Sequence, residues 1–340
     1  MAASAFRLAE KRFRHETAES FSEVIDFHQP NANSPANRAL LCRLPPHHAS
    51  PSWLQEAPIY SIRGVEGFRF VCRALDEVGQ LTWARAALST WPEPPSLTNL
   101  QPTGVVDADV SKSRMWEEHC MGGAARTQLS KLAWATLGYH YQESAVSAIP
   151  RSVSGEFTWL VQLVQWSERI YDESKRSDFP SDLGRLAADI AASVGYTCAP
   201  ASAPPLIPQW LRAEAAIVNY YHTSSSMGGH RDDAEPFQGA PIVSISLGLS
   251  AIYLLGGVTK EEAPLAILLR SGDVIIQGGE SRGCVHGVPR ILSGSLSPEL
   301  REAAQTDGEL IQIAEWLGTH RINVNVRQVN EYASCDREHG

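Results

Sequence analysis

The sequence has no CxxC pair, no apolar run of bilayer-spanning length and no internal repeat. Its six cysteines, Cys42, Cys72, Cys120, Cys198, Cys284 and Cys335, are scattered along the chain. That excludes zinc fingers and disulfide scaffolds and matches a reducing compartment. A spanning helix needs about 18 consecutive apolar residues. The opening stretch "MAASAFRLAEKRFRHET" also lacks the apolar core of a secretory leader, so neither a membrane span nor a signal peptide is expected. That stretch is basic and amphipathic through Arg7, Lys11, Arg12 and Arg14; Glu10 and Glu16 count against a mitochondrial presequence and favour a helix that docks on the folded body. Positive charge is not in excess either: 29 Lys and Arg against 38 Asp and Glu leave a net charge of -9. This argues against a protein that coats nucleic acid, although a local basic patch is compatible with an acidic whole.

What is present is a 340-residue chain with 43% apolar residues, enough for a substantial core. Residues 1 to about 130 alternate helical pieces with Pro-rich loops such as "PPHHASPSW" and "WPEPPSLTNLQPTG", and read as an irregular N-terminal extension. In "FPSDLGRLAADIAASVG" the apolar spacing at 183, 186, 187, 190 and 194 predicts a helix, with Ser181 as its N-cap and Gly195 as its stop. From 213 onward the texture changes to short apolar runs divided by turn residues: "AEAAIVNYY", "PIVSISLGLSAIYLLGG", "PLAILLRSGDVIIQGG", "GCVHGVPRIL" and "RINVNVRQV". Such strands, spaced by Gly and Pro, predict a jelly roll or sandwich, so the fold class is α+β with a C-terminal β core. A polar loop and a helix interrupt the core over residues 293 to 320.

The chemistry gathers in that core. After the glycine pair of "SSSMGGHRDDAEPF", His230 and Asp232 stand two apart, and on a strand such residues share a face. His286, in "GCVHGVPR", offers a second imidazole from a distant strand. Two imidazoles and one carboxylate leave three octahedral positions open, which suits non-heme Fe(II) binding a co-substrate and oxygen together. An H-x-D pair alone is a common accident. The last strand gives it weight: period two puts Arg321, Asn323, Asn325 and Arg327 on one face and Ile322, Val324 and Val326 on the other. Two guanidiniums with amides between them suit a dicarboxylate.

These segments together resemble the AlkB family of Fe(II)/2-oxoglutarate dioxygenases, whose pattern is N-x-Y, H-x-D-x-x-E, a distant H and R-x-N-x-x-x-R, with every position filled here. "LGYHYQ", "FPSDLG", "RAEAAIVNYY", "SAIYLLGG", "EEAPLAILLRSGD" and "YSIRGVEGFRFV" resemble its AlkB homolog 1 (nucleic acid dioxygenase) subfamily. The resemblance implies a double-stranded β-helix (jelly roll) core over 213–330, a helical and substrate-lid extension over 1–130, and lid strands with a supporting helix over 131–212. It implies His230, Asp232 and His286 as iron ligands and catalytic centre. Asn219, Tyr221, Arg321, Asn323 and Arg327 would hold 2-oxoglutarate, with Arg321 on its distal carboxylate.

The implied activity uses Fe(II), 2-oxoglutarate and O2 to oxidise methylated bases, releasing succinate, CO2 and, from N-methyl groups, formaldehyde. The implied substrates are N1-methyladenine in tRNA, N6-methyladenine in DNA, or 5-methylcytosine in tRNA. A protein substrate of the histone type, or a non-catalytic cofactor-binding scaffold, are the alternative readings. Tyr139, His140 and Tyr141 are candidates to stack on an extruded base and Arg231 to touch phosphate, beside the plainer reading of packing and solvated charge. Cys284 reads as core. The expected partners are methylated tRNA or DNA, with no membrane and a monomeric state, in nucleus or cytoplasm, with the mitochondrion open. Two departures stand out. Ala234 occupies a position that is acidic in repair-type members, which bears on base preference, and residues 143–170 are longer than the family pattern, as either an added lid element or a gene-model error.

Overall fold

The computed structural model describes residues 3–15, 21–47, 50–100, 114–122, 128–143, 169–171, 176–196 and 211–331, with backbone alone for 141–143 and 169–171. The chain opens with helix α1 (Ala5–Arg14), then α2 (Pro35–Leu40), β1 (Leu41–Leu44), β2 (Ile59–Ile62), β3 (Val65–Val71), α3 (Glu77–Ser89), β4 (Leu97–Thr98), α4 (Met115–Gly122) and β5 (Trp134–Gly138). A small antiparallel pair, β6 (Tyr141–Glu143) and β7 (Arg169–Tyr171), precedes α5 (Ser181–Ser193). Almost all of the long segment 143–170 lies outside the described residues.

Eight strands follow: β8 (Ala215–His222), β9 (Met227–His230), β10 (Ile242–Gly248), β11 (Ala251–Leu255), β12 (Leu265–Leu269), β13 (Val274–Gln277), β14 (His286–Ile291) and, after α6 (Pro298–Ala303) and α7 (Gly308–Leu317), β15 (His320–Arg327). They form two antiparallel walls. One runs β8, β15, β10, β13 and the other β9, β14, β11, β12. This is the jelly roll expected from the sequence.

The first wall does not stop at four strands. β3, β2 and β1 extend it beyond β13, and β5 and β4 extend it beyond β8, giving a nine-stranded sheet among the described residues. The reading of residues 1 to about 130 as helices and loops misses β1 to β4, because several are short and set among Pro and Gly, while β5 falls within the strands expected over 131–212.

Three local expectations change. Helix α5 starts at Ser181 itself, with Pro180 in the cap position and Asp182 accepting the Leu183 N–H at 2.9 Å. Proline has already fixed the entry geometry, so Ser181 is the first helical residue. Residues 293–320 hold two helices, each with its own cap: the Ser297 hydroxyl accepts from Leu300 N and the Asp307 carboxylate from Glu309 N and Leu310 N. On β15, the apolar face of Ile322, Val324 and Val326 joins the main apolar core, where α5 and α7 pack on the sheet. The polar face is buried too, except for half-buried Asn325. Each apolar side chain buried there contributes about 1.5–3 kcal/mol.

Cys42, Cys72, Cys120 and Cys284 are free thiols, and Cys284 is buried as expected. No helix among the described residues is long and apolar enough to cross a membrane.

Candidate metal and co-substrate site

β9 and β14 are neighbours in the four-stranded wall, and their register sets His230 opposite His286. The two rings lie 4.4 Å apart between centroids. Asp232 does not continue the strand, because β9 ends at His230. Its position is fixed from outside: the Arg282 guanidinium donates to its backbone carbonyl, and Arg327 Nη2 lies 2.9 Å from its Oδ1. The shared strand face expected for His230 and Asp232 is therefore replaced by a loop held by two arginines. The convergence survives: one ligand atom from each of His230, Asp232 and His286 lies within 4.8 Å of the others.

The donor chemistry fits a divalent metal. His230 Nδ1 faces the Gly228 carbonyl at 2.9 Å and His286 Nδ1 the Cys284 carbonyl at 3.2 Å. A carbonyl only accepts, so each Nδ1 carries a proton, and Nε2 is the nitrogen that offers a lone pair when the ring is neutral. His286 Nε2 lies 3.5 Å from Asp232 Oδ2 and His230 Nε2 lies 3.8 Å from Oδ1. Burial and the neighbouring His286 hold His230 below its ordinary range, which keeps it neutral. Burial pushes the Asp232 carboxyl up, but Arg327 and the two imidazoles outweigh it and leave it well below the carboxylate range, hence ionised. Two imidazoles and one carboxylate are the donor set that suits non-heme iron.

Arg327 meets acids through both of its terminal nitrogens. Its Nη1 lies 2.8 Å from Glu235 Oε1, and Arg282 Nη2 takes Glu235 Oε2 at 2.5 Å. Glu235 is fully buried, and two guanidiniums and two carboxylates form one network that includes Asp232. The sequence showed that the Glu235 position of the pattern is filled, but not this role.

Arg321 sits at the other end of β15 and is among the largest fully buried side chains. Its Nη2 donates to the Ser246 hydroxyl at 2.8 Å and its Nη1 to the Leu249 carbonyl at 3.4 Å, while Nε has no partner. Among the described residues no carboxylate forms an ion pair with it. Burial pulls its pKa down to about 10, so it stays cationic at neutral pH. A buried cation without a counter-charge is costly unless an anionic guest pairs with it.

Tyr221 lies opposite Arg321 in the β15–β8 register, and Asn219 lies opposite Asn323. Burial pushes the Tyr221 hydroxyl up to about 12, with Arg321 pulling it back and Asp232 adding to it. Tyr221 thus feels both the cationic anchor and the metal ligand. Asn323 Nδ2 donates to Ser244 Oγ at 2.9 Å and Ile245 O at 3.2 Å. Ser244, Ser246 and Gly248 alternate along β10, and this small-residue stripe is the signal in "SISLG" that room is left for the polar face of β15. Tyr253 adds a residue absent from the sequence reading: its ring stacks 5.9 Å from that of His286 while its hydroxyl donates to Gln277 Oε1 at 2.6 Å.

The candidates for substrate contact divide. Tyr139 is buried, its hydroxyl accepts from Asn330 Nδ2 at 3.0 Å and the Arg176 guanidinium lies 4.7 Å over its ring. His140 is buried with Nδ1 at 2.8 Å from Thr136 Oγ1. Both occupy the packing role. The side chain of Tyr141 lies outside the described residues. Arg231 is exposed, 3.4 Å from Asp233, and lines a cleft of ≈ 450 Å³ together with His230, Thr259 and Lys260.

Known proteins match this chain in sequence. The family model described as 2OG-Fe(II) oxygenase superfamily matches residues 126–327. The chain is 30% identical to the DNA N(6)-methyladenine demethylase ALKBH1A of Arabidopsis thaliana, over 96% of each chain. It is 31% identical to the nucleic acid dioxygenase ALKBH1 of Homo sapiens, over 79% of this chain and 66% of that one. It is 28% identical to the tRNA demethylase abh1 of Schizosaccharomyces pombe, over 96% of each. On this likeness the chain belongs to the 2OG-Fe(II) oxygenase superfamily, in its AlkB homolog 1 branch.

Proposed function

We propose that this dioxygenase removes methyl groups from nucleic-acid bases, with N1-methyladenine in tRNA and N6-methyladenine in DNA as the leading substrates and oxidation of 5-methylcytosine in tRNA as a further one. The observation that carries the reading is the His230, Asp232 and His286 cluster, in the same barrel as the buried cation Arg321. The names of the relatives, which act on methylated DNA and tRNA, supply the substrate class.

In this reading His230 Nε2, His286 Nε2 and an Asp232 oxygen hold Fe(II), and Arg321 pairs with the distal carboxylate of 2-oxoglutarate. Iron, 2-oxoglutarate and O2 together supply the oxidising equivalent that converts a methyl C–H to C–OH, with succinate and CO2 as co-products. A hydroxymethyl on nitrogen then leaves as formaldehyde. The chain's own part is positional. Arg327 and Arg282 keep Asp232 ionised and aimed, the backbone carbonyls fix both imidazole tautomers, and Tyr221 with the facing asparagines lines the way from Arg321 to the ligands.

The test is succinate release from labelled 2-oxoglutarate with methylated tRNA, methylated DNA or a methylated histone peptide as prime substrate. Stimulation by either nucleic acid is expected; stimulation by the peptide alone overturns the reading. Asp232→Ala is expected to abolish stimulated turnover, by 1,000-fold or more on the order of magnitude of lost metal catalysis, while circular dichroism stays unchanged.

A further inference from the structure

The pairing of β9 with β14 is broken just before the metal ligand. Met227 pairs with Val288 and His230 with His286, with a register shift between them that leaves Gly228 and Gly229 without partners in the ladder. Such a bulge re-aims the side chain that follows it and leaves a backbone N–H in need of an acceptor. Here the acceptor comes from the far end of the sequence: Glu10 Oε1 takes the N–H of Gly229 at 2.5 Å. Glu10 is only 4% exposed, and its second oxygen is held by Arg7 Nη1 at 2.8 Å.

The neighbouring turn of α1 reinforces the contact. The Phe6 ring lies so close to Gly229 and Gly256 that a Cβ on either would stand 2.5 Å and 2.9 Å from ring atoms. The Phe6 N–H donates to Lys260 O at 2.9 Å. With Phe13, Ile252, Leu254 and Val285, Phe6 forms a small apolar cluster on the outer face of the four-stranded wall. The helix therefore grips the bulge by a hydrogen bond and by shape at one point, one residue before His230. The Gly228 carbonyl that fixes the His230 tautomer belongs to the same bulge.

We propose that Glu10 is a positioning residue for the metal centre: by accepting the Gly229 N–H it sets the bulge that aims His230, and this couples the docking of α1 to metal binding. The inference rests on the reading of His230, Asp232 and His286 as the metal ligands. Outer partners of metal ligands carry about 10–100-fold of metal affinity, and linkage is reciprocal, so metal must tighten the helix by the same factor.

The experiment titrates Mn(II) into the metal-free full chain by calorimetry, with amide hydrogen exchange on the same samples. Glu10→Ala and Glu10→Asp, whose shorter side chain withdraws from Gly229, are expected to bind Mn(II) at least about tenfold more weakly than wild type. Glu10→Gln keeps an acceptor oxygen and is expected to stay within about threefold of wild type on the same scale. In wild type, Mn(II) is expected to slow exchange over residues 5–14. Mn(II) affinity of Glu10→Asp equal to wild type overturns the proposal, as does an equal loss in Glu10→Gln, which would show that the acceptor is not what matters. Failure of the underlying ligand reading looks different: wild type and Asp232→Ala would then bind Mn(II) alike.

Discussion

The two ends of β15 carry the same residue type in opposite states. Arg327 touches Asp232 and Glu235 and is joined through Glu235 to Arg282. Arg321, on the same face of the strand and as deeply buried, has a hydroxyl and a carbonyl for company. One end is an internally neutralised truss around Asp232, while the other is a charge with no acid paired to it among the described residues. Burial and residue type alone do not separate the two, because what distinguishes them is the count of acids within reach. A cation that has its counter-charge in the fold supports structure; one that lacks it stores binding energy for an anion.

Removing each cation separates the roles. Arg327→Met leaves Asp232 without its strongest cation and Glu235 with one guanidinium instead of two, and is expected to cost about 3–5 kcal/mol of stability in denaturant titration, with weaker metal binding besides. Arg321→Met is expected to behave in the opposite way. 2-Oxoglutarate affinity falls about 100-fold, as for one partner lost from a buried charge pair. The ligand-free protein melts no lower than wild type, since an uncompensated charge has gone. A large loss of ligand-free stability in Arg321→Met would erase the distinction.

The pH dependence sharpens the same contrast. Arg321 in the ligand-free fold has its pKa lowered to about 10 by burial. Its protonated form is the one that receives a carboxylate, so 2-oxoglutarate affinity is expected to hold at neutral pH and to fall as pH rises through about 10. The unfolded chain keeps this proton to higher pH. The charged guanidinium therefore works against the ligand-free fold at neutral pH, and that effect fades above the folded pKa. Calorimetric titration across that range checks it, with Asp232→Ala as a control that keeps Arg321.

The smallest effect belongs to an ion pair with no part in the site. Arg270 clamps Asp26 through its two terminal guanidinium nitrogens, each at 2.7 Å. Burial pushes Asp26 up, but Arg270 and the His28 N–H outweigh it and hold the carboxyl below its usual range. A depressed carboxylate stabilises the fold above the unfolded pKa, and that contribution is lost as pH falls through the folded one. Asp26→Asn is expected to cost about 1 kcal/mol at neutral pH, discounted for partial exposure, and to flatten the acid limb of the stability curve.

Much of the barrel was legible because its strands alternate with turn residues and its ligands are chemically rare neighbours. The convergence of His230, Asp232 and His286 followed from the pattern, but the means did not: Asp232 lies past the strand and is steered by Arg282 and Arg327. Period two placed the two arginines of β15 on one face and said nothing of their partners, since Glu235 reaches Arg327 only through the fold. Strands β1 to β4 went unread because the Pro-rich texture around them reads as loops and most are too short to show a period, whereas β5 falls within the strands expected over 131–212. The contact of Glu10 with Gly229 joins residues 219 apart in the sequence and left no local trace beyond one acid in a basic helix.

The sheet's width sets how the barrel can yield. The wall that bears Arg321 and Asn323 lies in the middle of nine strands, flanked on both sides, whereas β9 closes the four-stranded wall with no further strand beside it among the described residues. The anchoring wall is therefore a stiff plate and the wall that bears the imidazoles a narrower flap. Amide protons of β9 should exchange before those of β8, and any breathing that admits a bulky guest should be found on the histidine side.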